Sequence, residues 1–87
     1  MRLLMKNEDS FADFIFHAGE NNFYWRSGKP ANWHYTVINY YRKPYPFVIE
    51  IYNNNRIRFD ENCENSILYE DFKWSDIKKW ELFLGMF

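Results

Sequence analysis

Residues that cross-link a chain, interrupt its secondary structure or span a membrane are scarce in this sequence. Cys63 is its only cysteine, so no internal disulfide can form. Three glycines and three prolines leave no glycine-rich loop that could cradle a phosphate. The longest apolar runs are far shorter than the roughly 18 residues of a transmembrane helix. The lone thiol and the lack of a secretory signal predict a cytosolic protein that does not enter a membrane.

Side chains that catalyse reactions or bind metals are equally scarce. Cys63, His17 and His34 lie apart and lack the C-x-x-C or H-x-x-x-H spacing that lets neighbouring residues share one ion. Glu70 and Asp71 are adjacent, so their carboxylates diverge on a helix or a strand and cannot act together on one substrate atom. We therefore expect no enzyme activity, no catalytic residue, no metal, no cofactor and no small-molecule substrate.

Aromatic residues are abundant instead, with nine Phe, seven Tyr and four Trp among 87 residues. Each buried Phe or Trp removes roughly 150 to 250 Å² from water, so a short chain can hold a core without disulfides. The length and composition predict one domain, residues 1–87.

The spacing of apolar residues predicts two helices. Ser10 as an N-cap, apolar residues at 11, 14, 15 and 18, and Gly19 as a C-cap predict a short amphipathic helix. Ser75 caps a closing helix with its inward apolar stripe at 77, 80 and 84, and residue 83 is a further candidate for this stripe. Residues 1–6 fit either an extension of the first helix or a short edge strand. Residues 67–72 fit either a helical turn or a short strand.

Four strands are predicted between the helices, where β-branched and aromatic residues recur with a period of two. They cover residues 22–27, 33–42, 47–52 and 56–60, with turns at 27–30, 43–46 and 53–55. Centring the last hairpin on Asn54 places Ile51 opposite Ile57 and Glu50 opposite Arg58. Apolar residues then pair on one face of the hairpin, and opposite charges pair on the other. The predicted architecture is a small two-layer α+β domain, a four-stranded antiparallel meander packed by an N-terminal and a C-terminal helix.

The strand positions that do not face the helices form a surface rich in tyrosine and arginine. Four of the five arginines lie there, and Arg2 is the exception. We call this surface the Tyr/Arg face, and its predicted members are Tyr24, Arg26, Tyr40, Arg42, Tyr52, Arg56 and Arg58. The same alternation along the strands predicts that the side chains of Thr36 and Val48 also face away from the helices. Such rings and guanidinium groups predict a binding surface, although an ordinary solvated face has the same alternation.

Charge is distributed unevenly along the chain. Residues 1–59 hold eight Lys or Arg against five Asp or Glu, whereas residues 60–87 hold three against seven. We call the carboxylates of the second part the acidic segment, which consists of Asp60, Glu61, Glu64, Glu70 and Asp71. Spaced carboxylates can imitate a phosphate backbone and occupy the basic groove of a nucleic-acid enzyme. A solvated loop would have the same composition.

These features predict a small cytosolic interaction protein that inhibits a larger protein by covering one of its surfaces. The expected partner is a nuclease or another nucleic-acid enzyme, bound through the acidic segment or the Tyr/Arg face. Anti-CRISPR proteins of phages and immunity proteins that neutralise nuclease toxins are similar in size and surface character, but the sequence has no motif of either family. A phage-encoded chain would act in the host cytosol. The alternative is a domain that binds single-stranded nucleic acid through the Tyr/Arg face.

Overall fold

The computed structural model of this chain describes residues 1–34, 36, 43–53 and 55–76. These residues form one complete α-helix and five strands, followed by two short 3-10 turns. The bounds are Arg2–Met5 (β1), Glu8–Glu20 (α1), Tyr24–Trp25 (β2), Phe47–Tyr52 (β3), Arg56–Asp60 (β4), Ile67–Leu68 (β5), and Tyr69–Asp71 and Trp74–Asp76 for the turns. The chain is a small aromatic-rich α+β domain, with α1 and one face of the sheet sharing the core.

The five strands form one mixed sheet in the order β2-β4-β3-β1-β5. Strand β3 is antiparallel to both of its neighbours, whereas β2 is parallel to β4 and β5 is parallel to β1. The predicted four-stranded antiparallel meander packed by two helices is therefore wrong. A meander requires strands adjacent in the sequence to pair, but here β1 lies between β3 and β5. The closing helix predicted after Ser75 falls beyond residue 76, outside the described residues.

The N-terminal residues form an interior strand of the sheet. Residues 1–6 fitted either a helix or an edge strand on sequence grounds, and Arg2–Met5 form β1. The Met1 ammonium donates to the Ile51 carbonyl at 3.0 Å, and the Ile51 N–H donates to the Met1 carbonyl at 2.7 Å. The side chains of Leu3 and Met5 point into the core, which places Arg2 and Leu4 on the other face.

The hairpin of β3 and β4 confirms the predicted bounds and register. Ile51 pairs with Ile57, Ile49 with Phe59, and Glu50 with Arg58. Asn53 and Asn55 have φ angles of 40° and 68°, in the left-handed region that asparagine tolerates. The residues of the hairpin themselves determine this register, because a slip of one residue would turn apolar side chains toward water.

The strand predicted over residues 33–42 is wrong where the structure describes it. The turn at Gly28 (φ 91°) brings residues 29–31 back beside β2, and the Ala31 N–H donates to the Phe23 carbonyl at 3.0 Å. Pro30 lies opposite Tyr24 in this short antiparallel pairing. The backbone then becomes helical at residues 33, 34 and 36. Thr36, which the alternation placed outward, is fully buried.

Helix α1 buries the apolar stripe that its spacing predicts, but it begins earlier. Phe11, Phe14, Ile15 and Ala18 are buried on one face. The N-cap is Asn7, whose side-chain oxygen accepts a hydrogen bond from the Ser10 N–H at 2.9 Å, so the prediction of Ser10 as the cap is wrong. Asn caps as well as Ser does, and the earlier start puts two carboxylates in the first turn, where the helix dipole stabilises them.

The core is a contiguous cluster of aromatic and aliphatic side chains between α1 and the sheet. Phe11 meets Phe47 edge to face, with ring centroids 4.9 Å apart, and Phe14 meets Tyr69 in the same way at 5.7 Å. Every buried side-chain nitrogen or oxygen in the described ranges has a hydrogen-bond partner. Among the described residues, no helix has the length and apolarity needed to cross a bilayer.

Candidate functional site

The sheet face opposite α1 brings together four predicted members of the Tyr/Arg face. Arg56 lies opposite Tyr24 on one side and opposite Tyr52 on the other, and Arg58 lies next along β4. Tyr24 and Arg58 are exposed, whereas Tyr52 and Arg56 are half-buried. Arg26 is exposed just beyond the end of β2. The remaining two members, at positions 40 and 42, lie outside the described residues.

Within this face Arg56 and Arg58 each lie over a tyrosine ring. The guanidinium carbon of Arg56 is 5.6 Å from the centroid of Tyr24, and that of Arg58 is 5.5 Å from the centroid of Tyr52. Arg58 also donates to one oxygen of Glu50 from Nε and Nη2, at 2.9 and 2.7 Å. The hydrogen bonds that Arg58 donates to Glu50 raise the pKa of the Arg58 guanidinium above its ordinary value. The face therefore has its rings and charges held in place by one another.

Arg2, which the sequence pattern did not include in the Tyr/Arg face, lies on the same side of the sheet and binds residues next to that face. Its guanidinium binds the Asp60 carboxylate at 2.7 Å and donates to the carbonyls of Asn62 and Glu64. We call residues 61–66 the crossing loop, because they connect β4 to β5 past β3 and β1. The Arg2 contacts hold this loop on the outer side of the sheet. Val48, predicted to face outward, is fully buried on that side.

The acidic segment does not form one surface. Asp60 is paired with Arg2 on the outer face, and this hydrogen bond lowers the pKa of the Asp60 carboxyl. Glu70 lies beside α1, where it accepts a hydrogen bond from the Ser10 hydroxyl, which lowers its pKa, and lies 3.9 Å from the Lys6 ammonium. The remaining three carboxylates are exposed, at Glu61, Glu64 and Asp71. Two of the five predicted carboxylates thus stabilise the fold, on opposite sides of the sheet.

An open cleft of about 820 Å³ adjoins the Tyr/Arg face where β2 ends. We call it the basic cleft, and its described lining residues are Trp25, Arg26, Ser27, Lys29, Lys43, Arg58, Phe59 and Asp60. It contains four cationic side chains and one carboxylate. Composition alone did not indicate it, because Lys43 is brought to β4 from a separate stretch of chain, with its ammonium 5.2 Å from the Phe59 ring centroid.

A hydrogen-bonded network joins α1 to the last described turns. The Trp74 indole N–H donates to the Tyr69 hydroxyl at 2.9 Å, and that hydroxyl donates to the Asp13 carboxylate. The other oxygen of Asp13 lies 3.7 Å from His17 Nε2. Burial, together with the adjacent Asp13 charge, raises the pKa of the Tyr69 hydroxyl well above its ordinary value. These side chains connect α1 to the two turns that follow β5.

We expect the free energy of unfolding to fall as the pH rises above about 10, the ordinary tyrosine pKa. In that range the unfolded chain releases the Tyr69 proton while the folded protein retains it, which costs up to about 1.4 kcal/mol per pH unit. Urea unfolding at successive alkaline pH values measures this slope. Tyr69→Phe is the matched variant, because it keeps the ring and removes the proton. An equal slope in both proteins would contradict the assignment to Tyr69.

Neither the described residues, as a metal site, nor the comparisons with known proteins indicate a function for this chain. The described residues hold no group of three or more His, Cys, Asp or Glu side chains placed to share a metal ion. Cys63 is half-buried, with its sulfur 3.7 Å from the Pro46 carbonyl oxygen. No family model, curated protein or solved structure matches the chain. Its function must therefore be inferred from its own surfaces.

Proposed function

We propose that this chain is a small non-enzymatic interaction protein that inhibits a larger protein by covering part of its surface. The Tyr/Arg face is the proposed contact. The observation that supports it is the side-by-side placement of Tyr24, Tyr52, Arg56 and Arg58 on three adjoining strands. Tyrosine and arginine are among the residues enriched at the positions that contribute most of the binding energy in protein interfaces. Side chains already held by their neighbours lose less conformational entropy on binding.

A protein partner fits this face better than a nucleic acid does. Arg56 and Arg58 each cover one ring face that a base would need for stacking. Two donors of Arg58 are already bound to Glu50. The whole chain carries a net charge of −1, which gives no long-range attraction for a polyanion. These features favour docking on a protein surface.

Phosphate mimicry by the acidic segment has less support. A mimic needs its carboxylates displayed along one surface, but Asp60 and Glu70 bind residues of the fold on opposite sides of the sheet. The proposal therefore places the partner at the Tyr/Arg face. A nuclease or another nucleic-acid enzyme remains the proposed partner class, with its protein surface rather than its substrate groove as the contact.

Direct binding of single-stranded nucleic acid is the second candidate, favoured by the four cations of the basic cleft. It requires affinity for an oligonucleotide that falls steeply as salt rises, because bound phosphates release counterions. Titration of the chain with oligothymidine at two salt concentrations tests it. An absence of binding at low salt would eliminate this candidate.

Affinity capture from the native host, with and without nuclease treatment, tests the proposal. We expect a protein partner that is retained after nuclease treatment. The double variant Tyr24→Ala/Arg56→Ala should weaken its binding by at least about 2 kcal/mol, roughly thirtyfold, because it removes one ring and the guanidinium over it.

The matched control is Phe16→Ala. Phe16 is an aromatic residue that is 64% exposed, but it lies on α1, away from the Tyr/Arg face. Its loss should leave partner binding unchanged, and circular dichroism should show that both variants are folded. If Phe16→Ala abolished binding while the double variant did not, the contact would lie on the helix and the proposal would be wrong.

A further inference from the structure

We infer that the basic cleft receives an acidic segment of the protein partner, whose carboxylates bind Arg26, Lys29 and Lys43. This inference rests on the proposed function, and it specifies the chemistry of the partner. Arg58 belongs to both the cleft and the Tyr/Arg face. The acidic segment of the partner can therefore occupy the cleft while an adjoining part of the partner covers the Tyr/Arg face.

The cleft exists because β2 is shorter than β4. Strand β2 pairs with β4 only as far as Trp25 and Ile57, while β4 continues to Asp60. Beyond Trp25 the chain turns away at Gly28, where the Gly28 N–H donates to the Trp25 carbonyl at 2.8 Å. The turn places Arg26 and Lys29 on one side of the cleft. Lys43 also lines the cleft, with its ammonium over the ring of Phe59.

Cations outnumber carboxylates among the described lining residues of the cleft. Arg58 is paired with Glu50, and Asp60 is paired with Arg2, so the charges of β4 are largely compensated within the fold. Arg26, Lys29 and Lys43 come from the flanking segments. Four cations against one carboxylate give the described lining residues a formal charge of +3, whereas the whole chain has −1. A local cationic site on an anionic protein selects a ligand with clustered rather than extended negative charge.

The aromatic residues of the cleft favour carboxylates over nucleotides as the ligand. Trp25 is only 4% exposed, and its indole N–H is bound to the Thr36 hydroxyl at 3.0 Å. Phe59 is partly buried against the core and has the Lys43 ammonium over its ring. Single-stranded nucleic acid gains much of its affinity from open rings on which bases stack. Side-chain carboxylates can bind the basic groups of the cleft without stacking on an aromatic ring.

Fluorescence anisotropy with the full chain tests this inference with three labelled probes. They are a short peptide in which Asp and Glu alternate with Ser, the same peptide with Asn and Gln, and an oligothymidine of equal charge. We expect the acidic peptide to bind, with an affinity that falls as salt rises, and the other two to bind at least about tenfold more weakly. Stronger binding of the oligothymidine, or equal binding of the neutral peptide, would overturn the inference.

Charge reversal locates the binding site. Lys29→Glu/Lys43→Glu should weaken binding of the acidic peptide by at least about tenfold, because it places carboxylates opposite carboxylates. Lys73→Glu makes the same kind of change at an exposed lysine outside the lining and should leave the affinity within about twofold. If the double variant fails to fold, Arg26→Gln at an exposed position should still weaken binding several-fold. An equal loss in Lys73→Glu would show that only overall charge matters and would overturn the inference.

Partner capture separates the failure of this inference from the failure of the proposed function. If the captured protein binds Lys29→Glu/Lys43→Glu as tightly as the unchanged chain but loses Tyr24→Ala/Arg56→Ala, the face is the contact and the cleft is not. If no protein is captured, the proposed function itself fails.

Discussion

Replacing Phe14 by alanine will lower the free energy of unfolding by about 3 to 5 kcal/mol, the usual cost of deleting a buried phenyl ring. Phe14 is fully buried, and its ring contacts Tyr69 at 5.7 Å and Trp74 at 5.5 Å between centroids. It joins α1 to the two 3-10 turns that follow β5. Domains of this size are stable by about 5 to 15 kcal/mol, so the variant should lie close to its unfolding threshold.

Urea unfolding followed by tryptophan fluorescence measures this loss. Phe16→Ala is the control, since Phe16 is a neighbouring phenylalanine of the same helix that is 64% exposed. Its replacement should change the free energy of unfolding by no more than about 0.5 kcal/mol. A loss below about 1 kcal/mol in Phe14→Ala would mean that the cavity collapses, and that the ring contacts with Tyr69 and Trp74 are not what holds the turns to α1.

Replacing Arg2 by methionine will have the second largest effect, a loss of about 2 kcal/mol. Methionine keeps an apolar stem but removes the guanidinium, which binds Asp60, Asn62 and Glu64 together. Hydrogen bonds to charged groups contribute about 1.5 to 3 kcal/mol each, but these groups are partly exposed and the sum must be reduced for solvent screening. The crossing loop, whose backbone carbonyls would lose their donor, should be the first region to open.

Chemical unfolding gives the global loss, and amide hydrogen exchange in residues 61–66 shows where it occurs. Arg58→Met is the matched control, because Arg58 forms a surface pair with Glu50 and contacts no loop carbonyl in the described residues. Such solvent-exposed pairs contribute little to the free energy of unfolding. If Arg2→Met left exchange in the crossing loop unchanged, Arg2 would not be what holds that loop.

The features that the sequence predicts correctly are those decided by neighbouring residues. The β3–β4 hairpin depends on the alternation around three asparagines, and its bounds and register are confirmed. The apolar face of α1 follows from the spacing of Phe11, Phe14, Ile15 and Ala18. The cap was wrong because two good N-cap residues, Asn7 and Ser10, stand three positions apart, and only the folded chain shows that Ser10 reaches Glu70.

The features that the sequence does not reveal depend on contacts between distant residues. Residues 1–6 are too few for a period to distinguish helix from strand, and β1 becomes a strand by pairing with β3. At the candidate site, parity placed Tyr24, Tyr52, Arg56 and Arg58 on one face. It could not show that Arg2 binds Asp60, which removes that carboxylate from the predicted acidic surface.

Strand β3 has a particular place in this sheet, because it alone runs opposite to the other four strands that the structure describes. On one side of it lies the parallel pair β2 and β4, and on the other the parallel pair β1 and β5. Main-chain pairing between these two halves passes through β3. The ion pair of Arg2 with Asp60 is a direct bond between the halves, reaching from β1 to β4 across β3. Within the described sheet, the half that carries Tyr24, Arg56 and the basic cleft is therefore joined to the other half by the pairing of β3 and by the ion pair of Arg2, in addition to the shared core.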